Sequence, residues 1–121
     1  MYDQKFKEEY NKLNSDQRMA VDTIEGPVLV IAGPGTGKTQ TLALRIANIL
    51  KNTQVNPENI LCLTFTDNAV INMQERLNLF IGPLWRSIPI HTFHSFSNQI
   101  IQQISFILFL ICFRLSFNLS E

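Results

Sequence analysis

The chain has 121 residues, enough for one domain around a single core and too few for two. Ten Lys and Arg balance ten Asp and Glu, which excludes a cationic tail or a strongly basic nucleic-acid module as the main feature while leaving room for a local basic groove. At 45% hydrophobic and 17% charged residues the chain is expected to fold, and its two cysteines, Cys62 and Cys112, are too few for a disulfide framework and match no metal-ligand pattern.

The first ten residues mix both signs of charge without an apolar run, so no secretory signal is read there and a reducing, cytoplasmic setting is expected. Residues 2–12 read as a short polar helix. Ser15 is expected to cap a second helix over residues 16–24, with Met19, Ala20 and Ile24 on its inner side. Gly26 and Pro27 stop that helix. Val28, Leu29, Val30 and Ile31 then make a short apolar run rich in β-branched residues, the pattern of a strand buried on both faces. A glycine-rich turn over residues 33–37 follows. Residues 38–50 read as a helix with Leu42, Ile46, Ile49 and Leu50 toward the core, broken by Asn56 and Pro57. A second buried strand is predicted at 60–65. Thr66 is expected to cap a helix over 67–80, and Gly82 and Pro83 to end it. A third short strand is predicted at 88–90, and Thr92 opens another helix. Strand, loop and helix taken three times imply an α/β fold with a parallel sheet and right-handed crossovers.

Charge is concentrated in residues 1–86. From Ser87 onward only Arg114 and Glu121 are charged, and residues 104–121 form an apolar tail with no assignment. A membrane-spanning helix needs about 20 mostly apolar residues. The window 100–119 reaches that length only by including Gln102, Gln103, Ser105, Arg114, Ser116 and Asn118, so a membrane is not the expected partner. After Phe113 apolar and polar residues alternate, a strand-like period of two.

Ala32-Gly33-Pro34-Gly35-Thr36-Gly37-Lys38-Thr39 fits the phosphate-binding loop (P-loop, Walker A) pattern, with Ala in the first slot where Gly is usual. The glycines let successive backbone N–H groups turn inward around phosphate oxygens. The helix that follows aims its positive N-terminal dipole at the same phosphates. Lys38 supplies a point charge, and the Thr39 hydroxyl is suited to ligate Mg²⁺. Lys38 and Thr39 are therefore the candidate catalytic residues. Residues 32–39 are the candidate nucleotide site, with ATP and Mg²⁺ the expected ligands.

The surrounding residues narrow the class. Leu13 to Val21, with Gly26-Pro27 before the predicted strand, resembles the entry of UvrD/Rep-type superfamily 1 ATP-dependent DNA helicases. The resemblance implies that Gln17 recognises adenine; its amide carries both the donor and the acceptor that the adenine edge requires. Thr64-Phe65-Thr66-Asp67-Asn68-Ala69 looks like the family's Thr-Phe-Thr-Asn-Lys-Ala segment, which touches single-stranded DNA. On that likeness Phe65 stacks on a base and Thr64 and Thr66 bond phosphates. By residue type alone, Phe65 is equally a buried strand-end residue and Thr66 an N-cap. Asp67-Asn68 replaces the family's Asn-Lys, and Val70 an Ala. Thr92-Phe93-His94-Ser95-Phe96 resembles a second DNA-facing segment, with Thr92 and His94 as its polar candidates. Gln40 stands where many relatives carry Arg.

The resemblance covers about residues 11–103 and implies the N-terminal part of a RecA-like ATP-binding domain, truncated after about three strands. The family's magnesium-binding Asp-Glu pair, catalytic glutamate, second lobe and arginine finger have no counterpart in this sequence. The expectation is a helicase N-terminal fragment, perhaps best described as an inactive truncated gene product, that binds nucleotide and single-stranded DNA weakly. The alternatives are another P-loop ATP-binding protein, which would need an Asp or Arg acceptor-site constellation downstream, and a module tethered to a membrane by the apolar tail.

Overall fold

The computed structural model describes residues 2–118. Helix α1 spans Tyr2–Asn11 and helix α2 spans Ser15–Asp22. Helix α3 spans Lys38–Asn52, strand β1 Cys62–Thr64 and helix α4 Asp67–Ile81. Strand β2 spans Ile90–Thr92 and helix α5 Phe93–Asn118. β1 and β2 pair in parallel, with Cys62 opposite Ile90, Leu63 opposite His91 and Thr64 opposite Thr92. The result is a mixed, mainly helical fold with a small two-stranded parallel sheet, compatible with part of an α/β helicase domain.

Each helix starts where a side chain or a glycine allows it. Asn14, not the expected Ser15, caps α2. Its Oδ1 accepts the Gln17 N–H at 2.9 Å, and Gln17 Oε1 accepts the Asn14 N–H at 3.0 Å, a reciprocal capping box. Thr66 caps α4 as expected, its hydroxyl accepting the Ala69 N–H at 3.2 Å. Helix α3 starts from Gly37, whose φ of 76° lies in the left-handed region.

The core lies between α1, α2, α3, α4 and the inner end of the sheet. Val21, Leu44, Met73, Leu77 and Phe80 are its most deeply buried side chains. Phe6 of α1 meets Phe80 edge-on with ring centroids 6.4 Å apart. The Arg45 guanidinium donates to the carbonyls of Ala20 and Thr23, and Asn48 Nδ2 donates to the Val21 carbonyl at 3.1 Å. These bonds tie the C-terminal end of α2 to α3. They turn Ala20 and Val21 inward and leave Met19 exposed, against the expected inner face. On α3 the core side is Thr41, Ala43, Leu44, Ile46 and Ala47, with Leu42 outside it. Lysine partners hold two carboxyls of α1 below their ordinary range: Lys51 acts on Asp3 and Lys12 on Glu9. Burial pushes the Cys62 thiol up.

Three expectations are corrected. Residues 28–31 form no strand, so the sheet has two strands and not about three. Leu29 is 86% and Ile31 90% exposed. A parallel strand buried on both faces needs a neighbour on each edge and helices above and below. The described residues offer one strand pair, and the apolar run does not join it. The last strand begins at Ile90, two residues later than predicted. Pro89 has no N–H to give a ladder, and it contributes instead its carbonyl, which accepts the Cys62 N–H at 2.9 Å. The alternating pattern after Phe113 is helical as far as Asn118; residues 119–121 lie outside the described residues. A helix already started from Thr92 extends with local hydrogen bonds, whereas a lone strand has no partner. Among the described residues no helix is long and apolar enough to cross a membrane.

Gly82 ends α4 with φ 59° and ψ −149°, a region essentially reserved for glycine. A Cβ there would also lie 2.5 Å from the Tyr2 ring. Gly82→Ala should therefore destabilise the fold by about 1–3 kcal/mol, most of it backbone strain because the Tyr2 ring can swing away. Urea unfolding followed by circular dichroism checks this. A midpoint equal to that of the unsubstituted chain would show that the turn relaxes freely.

Candidate functional site

The glycine loop closes on itself through bonds its own residue types supply. Gly35 and Gly37 have φ of 74° and 76°, so a side chain at either would be strained. The Thr36 hydroxyl donates to the Gly33 carbonyl at 2.7 Å. Lys38 Nζ donates to the Ala32 carbonyl at 3.2 Å and to the Gly33 carbonyl. Lys38 stays exposed, and Thr39 sits half-buried in the first turn of α3. The first backbone N–H groups of a helix have no intrahelical partner, so α3 presents donors at the end where the loop lies. Glycine nest, helix start, ammonium and hydroxyl form a donor set suited to an anionic ligand.

Gln17 reaches this loop from α2. Its Nε2 donates to the Thr36 carbonyl at 3.0 Å across 19 residues of sequence. Gln17, Gly33, Thr36 and Lys38 line one cleft of about 580 Å³, whose remaining wall includes the exposed apolar run 28–31. Pro34, Gly35, Gly37 and Thr39 belong to the same loop and helix start. Gln40, next in the chain, points elsewhere. It donates to Glu9 at 3.0 Å and accepts from Arg76, joining α1, α3 and α4.

The two other segments meet at the C-terminal ends of β1 and β2, the end of a parallel sheet at which ligands ordinarily bind. Phe65, Thr66, Thr92 and His94 all border one open groove of about 900 Å³. Phe65 is 89% exposed, so it is not the buried strand-end residue that its type allowed. Thr64 lies one residue below the rim, with its hydroxyl toward the carbonyls of Thr66 at 3.3 Å and His91 at 3.4 Å. The Thr92 hydroxyl is committed locally: buried, it accepts the Ser95 N–H at 3.1 Å and caps α5. His91 stacks on Phe96 with centroids 6.1 Å apart.

The groove also holds residues that the sequence reading passed over. Ser95, Asn98, Gln99 and Gln102 line it from α5. Their i, i+3, i+4, i+7 spacing was the available signal: a polar stripe on an otherwise apolar helix. Asp67 lines the groove too, placing a negative charge at its edge.

Comparison with known proteins agrees with this layout. The profile of the UvrD/REP helicase N-terminal domain matches residues 13–112. The chain is 42% identical over 93 residues to the ATP-dependent DNA helicase PcrA of Staphylococcus aureus (strain Mu50), an alignment covering 77% of this chain and 13% of that protein. It is 46% identical over 90 residues to a probable DNA helicase II homolog of Rickettsia conorii, covering 74% of this chain and 14% of the relative. The PcrA helicase of Staphylococcus epidermidis is 43% identical over 91 residues, covering 75% and 12%. The chain thus spans about an eighth of the length of these curated relatives. It belongs to the UvrD/REP helicase N-terminal domain family.

Proposed function

We propose that this chain is the nucleotide-gripping N-terminal portion of a RecA-like P-loop domain from an ATP-dependent helicase that translocates on single-stranded DNA. The observation that carries the reading is the shared cleft, in which Gln17 stands beside the glycine loop at the start of α3. In this reading residues 32–39 hold the phosphates of ATP, Lys38 neutralises their charge, and Thr39 contributes one oxygen to Mg²⁺. Magnesium keeps several waters and phosphate oxygens of its own, so one protein hydroxyl fits its habits. Gln17 keeps one amide N–H and one oxygen lone pair beyond the bonds it makes, enough to meet the adenine edge. Saturable binding of a fluorescent ATP analogue in magnesium buffer is the expected result; its absence overturns the reading.

Single-stranded DNA is assigned to the groove at the sheet's C-terminal end. Exposed Phe65 offers a stacking face worth about 1–3 kcal/mol per base. His94 and the polar stripe of α5 face the same space. The chain has no net charge, and Asp67 stands at the rim, so few phosphates are neutralised and binding is weak and salt-sensitive. Replacing Asp67-Asn68 by Asn-Lys, the pair the family pattern carries, removes one negative charge and adds one positive. The affinity for a fluorescent oligothymidylate should rise several-fold in fluorescence anisotropy, and its dependence on log salt should steepen by about 0.7 for the added phosphate contact. An unchanged salt slope would place the DNA elsewhere.

A further inference from the structure

We infer that Gln17 is a positioning residue for the phosphate loop itself, acting on the Gly37 amide whether or not a base is bound. The inference rests on the nucleotide-site reading and goes beyond base recognition. The argument starts from the peptide unit. All peptide bonds here are trans, so the carbonyl of Thr36 and the N–H of Gly37 belong to one plane and point opposite ways. Gln17 Nε2 holds that carbonyl at 3.0 Å. Pinning the oxygen toward α2 therefore aims the Gly37 N–H away from α2. Gly37 is the N-cap of α3 and the residue before Lys38, so this is a backbone donor at the mouth of the loop.

Gln17 can do this because its own amide is anchored. Its Oε1 accepts the Asn14 N–H at 3.0 Å, which fixes the amide plane and leaves Nε2 directed outward. The other half of the capping box runs through the backbone N–H of residue 17 and does not depend on the side chain. The approach is also close: a Cβ on Gly37 would stand 3.5 Å from Gln17 Nε2. The start of α2 and the start of α3 are thereby joined by one side chain, and base and phosphate ends of the cleft share a single amide.

The test separates a loop-positioning residue from a base reader by removing the base. Gln17→Met keeps the stem and the Asn14 cap but loses both amide bonds. Gln17→Asn keeps an amide too short to span Asn14 and Thr36, and serves if the methionine variant folds poorly. The full chain and each variant are titrated by competition with ATP and with inorganic tripolyphosphate, both in magnesium buffer. Both ligands should weaken by a similar factor of roughly ten, as expected for one neutral hydrogen bond. Amide hydrogen exchange at residues 35–38 of the unliganded variants should quicken as well. A loss confined to ATP, unchanged exchange in the loop, or a wild type that takes ATP but ignores tripolyphosphate would each overturn the inference and leave the nucleotide site standing. Failure of wild type to bind ATP at all would overturn the nucleotide-site reading.

Discussion

Purified as its 121 residues, the chain should release no phosphate from ATP above background, with or without single-stranded DNA. The loop holds phosphate through glycine N–H groups, Lys38 and the start of α3. Grip that is equal in the ground and transition states lowers the concentration needed for binding and does nothing for the chemical step. Acceleration needs a carboxylate that orients water and a cation opposite the terminal phosphate; an arginine in that place is worth about 10³–10⁵ in rate. Among the described residues the only carboxylate lining the cleft is Asp16, and no arginine lines it. Asp16 neighbours Gln17 in the first turn of α2, which the proposed reading puts at the base end, away from the phosphates. The arginines that follow the loop are engaged elsewhere. Arg45 bonds the end of α2, Arg76 bonds Gln40, and Arg86 lies over the Trp85 ring. A phosphate-release assay reads the outcome directly. DNA-stimulated turnover at about one per second, an ordinary enzymatic rate, would show that self-association or another residue supplies the missing charge.

What the sequence made legible follows from how local the controlling interaction is. Helix α4 could be read almost to the residue, because Thr66 and Gly82 end it through bonds within a few positions. The glycine loop was legible for the same reason: Gly35 and Gly37 are required by their own backbone angles. The run of Val28, Leu29, Val30 and Ile31 was not. Its composition announces burial, but burial of a strand is a property of its neighbours, and the pairing available lies between β1 and β2 instead. The inner face of α2 failed similarly, because Arg45 and Asn48 on a distant helix decide which way Val21 and Met19 turn. In the DNA groove the motif residues on the two strand ends were found and the stripe on α5 was missed. Asn98, Gln99 and Gln102 acquire a site only once Phe65 and Asp67 are brought opposite them by the parallel pairing of β1 with β2.

Lys38→Ala should weaken ATP binding by about 1.5–3 kcal/mol, the range for removing a charged hydrogen-bond donor. That corresponds to roughly ten- to 150-fold in affinity. In the unliganded chain the ammonium is held by the carbonyls of Ala32 and Gly33, so it already stands inside the turn that the phosphates would occupy. Exchange of those neutral acceptors for phosphate oxygens strengthens the bonds, because both partners are then charged. The alanine variant loses this gain but little of the fold. Lys38 is exposed, and substitutions at exposed positions ordinarily change stability by no more than about 0.5 kcal/mol. Thermal melts of the two proteins should therefore coincide while their calorimetric titrations diverge. Lys38→Arg refines the result: it keeps the charge but replaces a compact ammonium by a planar fork, which is not an equivalent fit for a cradle formed by two consecutive carbonyls. It should recover only part of the lost affinity. Equal affinity of wild type and Lys38→Ala, with matching melts, would remove Lys38 from the phosphate site and leave the glycine N–H groups as its only grip.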